Sequence, residues 1–115
     1  MNIVIYHNPR CSKSRQTLEL LKSKDIDPTI IEYLKTPPSE DELRLVIAAL
    51  DIEPRALLRK GEPPYKELGL DNPSLASDDL IKAMIAHPVL IERPIVIHGN
   101  QAVIGRPPES VLSIL

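Results

Sequence analysis

"NIVIYHNPRCSKSRQTLELLKSKDIDPTIIEY" (residues 2 to 33) is the stretch whose reading decides the fold. It opens with a short apolar run, "NIVIY", which Asn8 and Pro9 close off in the manner of a buried strand. Thr17, Leu18 and Leu21 then recur at helical spacing among Ser, Lys, Gln and Glu, which predicts a helix over about residues 12 to 24 with one apolar face. "TIIEY" (29 to 33) reads as a second strand. A strand, a helix and a strand within this length form a βαβ unit, a parallel pair joined by a helical crossover.

Beyond residue 33 the pattern changes. Ser39 and Glu42 have capping-box spacing, and Leu43, Val46, Ile47 and Leu50 supply the apolar stripe of a second helix. Pro54, Gly61, Pro63 and Pro64 cut the next segment into short helical turns around Ala56 to Arg59 and Tyr65 to Leu68. Ser77, with Asp78 and Asp79, is expected to cap a third helix whose inward face is Leu80, Ile81, Met84 and Ile85 and which ends at His87 and Pro88. Two strands near 95 to 98 and 101 to 105 flank Gly99-Asn100 in a hairpin pattern. "PPESVLSIL" closes the chain as a helical turn carrying Val111, Leu112 and Leu115. The order β-α-β, a mainly helical insertion at about 38 to 90, and β-β-α predicts an α/β protein, one domain over residues 1 to 115, with a mixed four-stranded sheet and helices on both faces.

Composition narrows the function. The chain has 115 residues, 43% hydrophobic and 26% charged, with a net charge of -2. That balance is ordinary for a globular protein and gives no reason to expect nucleic acid or an anionic membrane as partner. No apolar run approaches the ~18 residues of a membrane span and no basic leader precedes "IVIY", so a cytoplasmic location is expected. The three histidines and one cysteine lack paired metal-ligand spacing, and no metal is expected.

Cys11 is the only cysteine, so covalent redox work there needs a second thiol from outside. A lone cysteine is often no more than a small buried hydrophobe. This one lies where the first strand gives way to the first helix, within "PRCSKSR". Unpaired N–H groups and the helix dipole favour a thiolate there, Arg10 and Arg15 add charge, and the Ser14 hydroxyl is expected to turn back toward the sulfur. A thiol pKa below the ordinary value follows. Arg59, Arg93 and Arg106 each stand at the edge of an apolar segment, and their convergence on Cys11 would make a pocket for a multiply charged tetrahedral oxyanion. His7 is a candidate to tune the thiolate, to protonate a leaving oxygen, or to hold local backbone.

"HNPRCSKSRQTLELL", "RALLRKGEPPYKELGL" and "HPVLIERPIVIHGNQAVIGRPPE" together resemble the glutaredoxin-linked arsenate reductases, the ArsC group within the ArsC/Spx branch of the thioredoxin-like fold. The resemblance implies that Cys11 attacks arsenate, that Ser14 and Arg15 complete the anion loop, and that Arg59, Arg93 and Arg106 bind the oxyanion. It gives His7 and Asn8 a supporting role and makes Pro94 the cis-proline of the thioredoxin-like fold. It further implies a covalent Cys11–arsenic intermediate, glutathione as co-substrate with no tightly bound cofactor, and glutaredoxin as the partner that resolves the mixed disulfide; a monomer is expected. Two positions depart from well-studied members of the family: Ser12-Lys13 stands where those carry Gly-Thr, adding a charge beside the loop, and Gly105 stands where some relatives carry a further cysteine. The same resemblance admits a glutathione-dependent thiol-disulfide reductase, which would use Cys11 without needing the arginines, and an Spx-like regulator of RNA polymerase. Regulators of that kind commonly use a Cys-x-x-Cys pair, whose second sulfur Ser14 removes.

Overall fold

The computed structural model describes residues 2–115 and resolves into two compact units, residues 2–36 with Arg93–Leu115, and Pro37–Glu92. In the first unit, β1 (Ile3–Tyr6), α1 (Ser12–Ser23), β2 (Thr29–Ile31), β3 (Ile95–His98) and β4 (Gln101–Ile104) precede a terminal 3₁₀ helix, Pro108–Ile114. The strand order is β2-β1-β3-β4. β1 pairs parallel with β2, and β1–β3 and β3–β4 are antiparallel. The second strand is shorter than its apolar pattern suggests and lies at an edge, with Thr29 and Ile30 exposed; Tyr33, beyond its end, is fully buried.

Strand alternation explains the core. Ile5, Val96 and Val103 stand opposite one another across three strands, on one face of the sheet. With Ile3, Leu21 and Val111 they form an apolar cluster that Leu18, Leu20, Ile26 and Ile114 complete, so α1 and the terminal 3₁₀ helix cover this face. Full burial of each such side chain is worth about 1.5–3 kcal/mol. Helix α1 stops without a glycine: Asp25 takes φ 60° while its N–H and that of Ile26 bond the Lys22 and Leu21 carbonyls. This is the Schellman pattern, and it turns Ile26 into the core. Gly99 supplies the positive φ, 65°, of the β3–β4 turn.

The terminal segment departs from expectation. It is 3₁₀ rather than α-helical, and the tighter three-residue repeat carries Val111 and Ile114 inward while leaving Leu112 and Leu115 about 43% and 40% exposed. His98 Nδ1 bonds the Ile114 carbonyl at 2.5 Å and ties this end to β3.

The second unit holds α2 (Glu40–Leu50), α3 (Pro63–Glu67) and α4 (Ser77–Ala86), with short 3₁₀ turns at Pro54–Leu57 and Pro88–Leu90. Helix α2 has the expected reciprocal cap: Ser39 Oγ accepts from Glu42 N–H at 3.1 Å, and Glu42 Oε1 accepts from Ser39 N–H at 2.9 Å. Ser77 does not cap α4. It is the first helical residue, Ala76 is the N-cap, and the Asp79 carboxylate reaches back to the Ala76 N–H at 3.0 Å. Leu43, Val46 and Ile47 of α2 and Leu80, Ile81 and Met84 of α4 are buried where the two helices pack. Among the described residues no helix is long and apolar enough to cross a membrane.

Replacing Ser39 with Ala removes the side-chain half of the α2 cap and is expected to lower stability by about 1 kcal/mol, read from the denaturant midpoint at unchanged m-value.

Candidate active site

The sheet register assembles the site within the first unit. Tyr6 ends β1 opposite Ile95, the first residue of β3, and Ile95 stands opposite Ile104, the last residue of β4. Three segments therefore leave the sheet at one end: the loop from His7 to Cys11, the Arg93-Pro94 approach to β3, and the Gly105-Arg106 exit from β4. The Arg93–Pro94 and Arg106–Pro107 peptide bonds are both cis. Arg106 Nη1 donates to the Arg93 carbonyl at 3.4 Å, and Gly105 N–H to the Pro94 carbonyl at 2.9 Å, so the two arginine-bearing segments are joined.

Cys11 is the N-cap of α1, partly buried, with extended backbone (φ -93°, ψ 125°). Burial alone pushes its thiol up. The Ser14 N–H, the charge of Arg93, the Lys13 N–H and a hydrogen bond from the Arg93 side chain outweigh that penalty and hold the thiol below its ordinary value. The helix start thus supplies the expected donors. The charge on the sulfur comes from Arg93 rather than from Arg10 or Arg15 next to it in sequence. Arg15 Nη1 donates instead to the Pro9 carbonyl at 3.0 Å.

Ser14 is positioned differently from the expectation. It is fully buried, and its hydroxyl pairs with His7 Nδ1 at 2.7 Å and accepts from the Asn8 N–H at 3.0 Å. Only its backbone N–H serves the sulfur. Asn8 shapes the rest of the loop: its Oδ1 accepts from Arg10 N–H and its carbonyl from Cys11 N–H, each at 3.0 Å. His7 is buried, which lowers its pKa ahead of the opposing pull of Glu32 and the repulsion from Lys22 and Arg15. Its bond to Ser14 ties the start of the loop to α1.

Gly105 and Thr17 have packing roles that the sequence pattern did not assign to them. Gly105 is buried, and a Cβ there would lie 2.7 Å from Thr17 Oγ1 and 2.9 Å from Pro94 Cγ. Thr17, itself fully buried, uses its hydroxyl on the Lys13 carbonyl at 2.8 Å. The missing side chain at position 105 lets the end of β4 settle against α1 and the cis-proline turn.

Arg59 belongs to the second unit. Its N–H donates to the Leu90 carbonyl at 2.8 Å beside an isolated Leu58–Ile91 bridge, and its guanidinium pairs with Glu62 at 2.8 Å. Glu62 carried no signal beyond its place in "RKGEPPY".

Comparison with known proteins identifies the family and the fold. The model of the ArsC family matches residues 6–114. This chain belongs to the ArsC family. It is 53% identical over 114 residues to an arsenate reductase of Escherichia coli, spanning 99% of this chain and 81% of that one. It is 51% identical over 116 residues to an arsenate reductase of Haemophilus influenzae, with both chains covered in full. The solved structure of an arsenate reductase from Vibrio cholerae superposes with a TM-score of 0.97 at 53% identity, covering 100% of this chain and 98% of that one. The mixed four-stranded sheet is therefore the thioredoxin-like sheet of the ArsC fold.

Two measurements test the site. Replacing Arg93 with Gln removes a positive charge and a donor from the sulfur, so the half-maximal pH for alkylation of Cys11 rises and alkylation at neutral pH slows. Gly105→Val forces atoms into occupied space beside Thr17 and Pro94 and is expected to destabilise by about 1–3 kcal/mol, read by thermal or denaturant unfolding.

Proposed function

We propose that this protein reduces arsenate to arsenite through a covalent bond between Cys11 and arsenic, with glutathione as co-substrate and glutaredoxin as the partner that resets the cysteine. The observation that carries the reading is the setting of Cys11 at the start of α1, where N–H donors and Arg93 favour the thiolate. Full-length likeness to proteins named arsenate reductase supports the same chemistry.

In this reading the Cys11 thiolate attacks arsenic(V) and one arsenate oxygen leaves as water after taking up protons. Arg93 and Arg106 bind the remaining oxygens and offset their charge, a role that the family resemblance extends to Arg59, while the N–H groups of the loop orient the anion. Arg15, His7, Asn8 and Ser14 keep that loop in shape. The glutathione sulfur then attacks the Cys11 sulfur. The glutathione thiolate supplies the electron pair of the new Cys11–glutathione disulfide, and the sulfur–arsenic bond breaks with its pair going to arsenic, which departs as arsenic(III); the two sulfurs are each oxidised by one electron and arsenic is reduced by two. Glutaredoxin returns Cys11 to the thiol by exchange. The reaction then runs in the cytoplasm, where glutathione is kept reduced, and the protein works as a monomer.

The test is steady-state arsenate reduction by purified protein with glutathione and glutaredoxin. Cys11→Ser is expected to abolish turnover, and Arg106→Ala or Arg59→Ala to reduce kcat/KM for arsenate at least tenfold, the scale of losing one charged anion contact. No activity in the unaltered protein would sink the proposal. Retention of arsenate turnover in the arginine variants would point instead to a general thiol-disulfide reductase.

A further inference from the structure

Among the described residues three polar side chains are buried, His7, Ser14 and Thr17, and all three lie on the loop and the helix that carry Cys11. His7 and Ser14 satisfy each other and fix the loop. Thr17 takes no part in that pair. It is fully buried one turn before Leu21 on the inward side of α1, a place that valine, of nearly the same shape, would fill without a polar atom. Its hydroxyl donates to the Lys13 carbonyl at 2.8 Å. That carbonyl is also the acceptor of the Thr17 N–H in the helical ladder, so the hydroxyl is a second donor on one oxygen.

The Lys13 carbonyl and the Ser14 N–H are the two ends of one peptide group. The Ser14 N–H faces the Cys11 sulfur, and of the two backbone donors there, Ser14 and Lys13, it does more to favour the thiolate. The contacts are continuous from the Thr17 hydroxyl through the Lys13 carbonyl and the Ser14 N–H to the sulfur. Gly105 keeps the first of these groups in place: a Cβ there would stand 2.7 Å from Thr17 Oγ1 and 3.2 Å from Thr17 Cγ2, so the end of β4 lies close against both branches of the side chain.

We infer that Thr17 is a positioning residue for Cys11, its hydroxyl holding and polarising the Lys13–Ser14 peptide so that the Ser14 N–H is aimed at the sulfur and donates more strongly to it. The inference rests on the reading of Cys11 as the reacting thiolate. A donor on a carbonyl draws electron density from the nitrogen of the same peptide, which strengthens the bond that its N–H makes by about 10–30%. The thiolate gains more from this than the thiol does, because hydrogen bonds to a charged acceptor are the stronger ones.

The test compares Thr17→Val, which keeps the shape and removes the hydroxyl, with Thr17→Ser, which keeps the hydroxyl and removes a methyl. The first readout is the half-maximal pH for alkylation of Cys11 by iodoacetamide. Thr17→Val is expected to raise it by about 0.1–0.6 of a pH unit, the worth of strengthening one bond to a charged group by that fraction, while Thr17→Ser leaves it in place. The second readout is the amide proton resonance of Ser14, followed by NMR over the same pH range. Its movement on ionisation of Cys11 shrinks in Thr17→Val and is retained in Thr17→Ser. If the valine variant does not fold, Thr17→Ala replaces it in both measurements. An alkylation midpoint or a Ser14 amide that loss of the hydroxyl leaves unmoved, or a change that Thr17→Ser reproduces in full, as a merely structural role would require, overturns the inference. Neither readout involves arsenate, so a protein that shows these shifts but no arsenate turnover defeats the proposed function and not the role of Thr17.

Discussion

A partly buried thiolate is stable only if fixed positive partners offset the water it has lost, and in this chain those partners arrive through strand register. Tyr6, Ile95 and Ile104 are opposed across β1, β3 and β4, and the residues just outside them carry Cys11, Arg93 and Arg106. A slip of one residue between β1 and β3 would turn Ile5 and Val96 out of the core face, so the apolar cluster holds the register. The same packing that stabilises the sheet places Arg93 beside the sulfur. Electrostatics at Cys11 is thus a consequence of hydrophobic alternation in the strands.

Most of that scaffold was legible in the sequence. The βαβ opening, the capping box at Ser39 and the Gly99 turn are local patterns, and each formed as its spacing implied. What failed was the choice between competing local partners. At α4, both Ser77 and the acids that follow it are capping residues, and the Asp79 carboxylate reaching back to Ala76 won. At α1, the first-turn hydroxyl of Ser14 was free to face the sulfur or the chain behind it. His7, seven residues earlier, decided the matter through a buried bond that no helical spacing announces. The cation that acts on Cys11 likewise comes from a distant segment, because topology rather than sequence proximity determines which charge lies close.

The middle of the chain was the least legible part, for a related reason. Residues 54 to 75 bury little at any regular period; α3 has no buried residue at all. Their order comes from Arg55 reaching two carbonyls, from the Asn72 side chain bonding Ser74, and from the Arg59–Leu90 and Glu92–Leu57 backbone bonds. Irregular contacts of this kind leave no periodic trace; Arg59 stood out only by its place at the end of an apolar stretch and by the resemblance of "RALLRKGEPPYKELGL" to a family segment.

Ser14 also explains why a second sulfur at the fourth position of the loop would be more than an added redox partner. Its hydroxyl is buried and meets two polar groups at once, His7 Nδ1 and the Asn8 N–H. A thiol is a weak donor and a weak acceptor, so cysteine at this position would leave both groups poorly satisfied in a buried setting, a penalty of about 1–3 kcal/mol for each group left without a partner. Loop geometry and internal disulfide switching therefore make opposing demands on residue 14. Serine meets the first and forgoes the second, and the oxidised form of a lone Cys11 can be resolved only by a thiol that the chain does not carry.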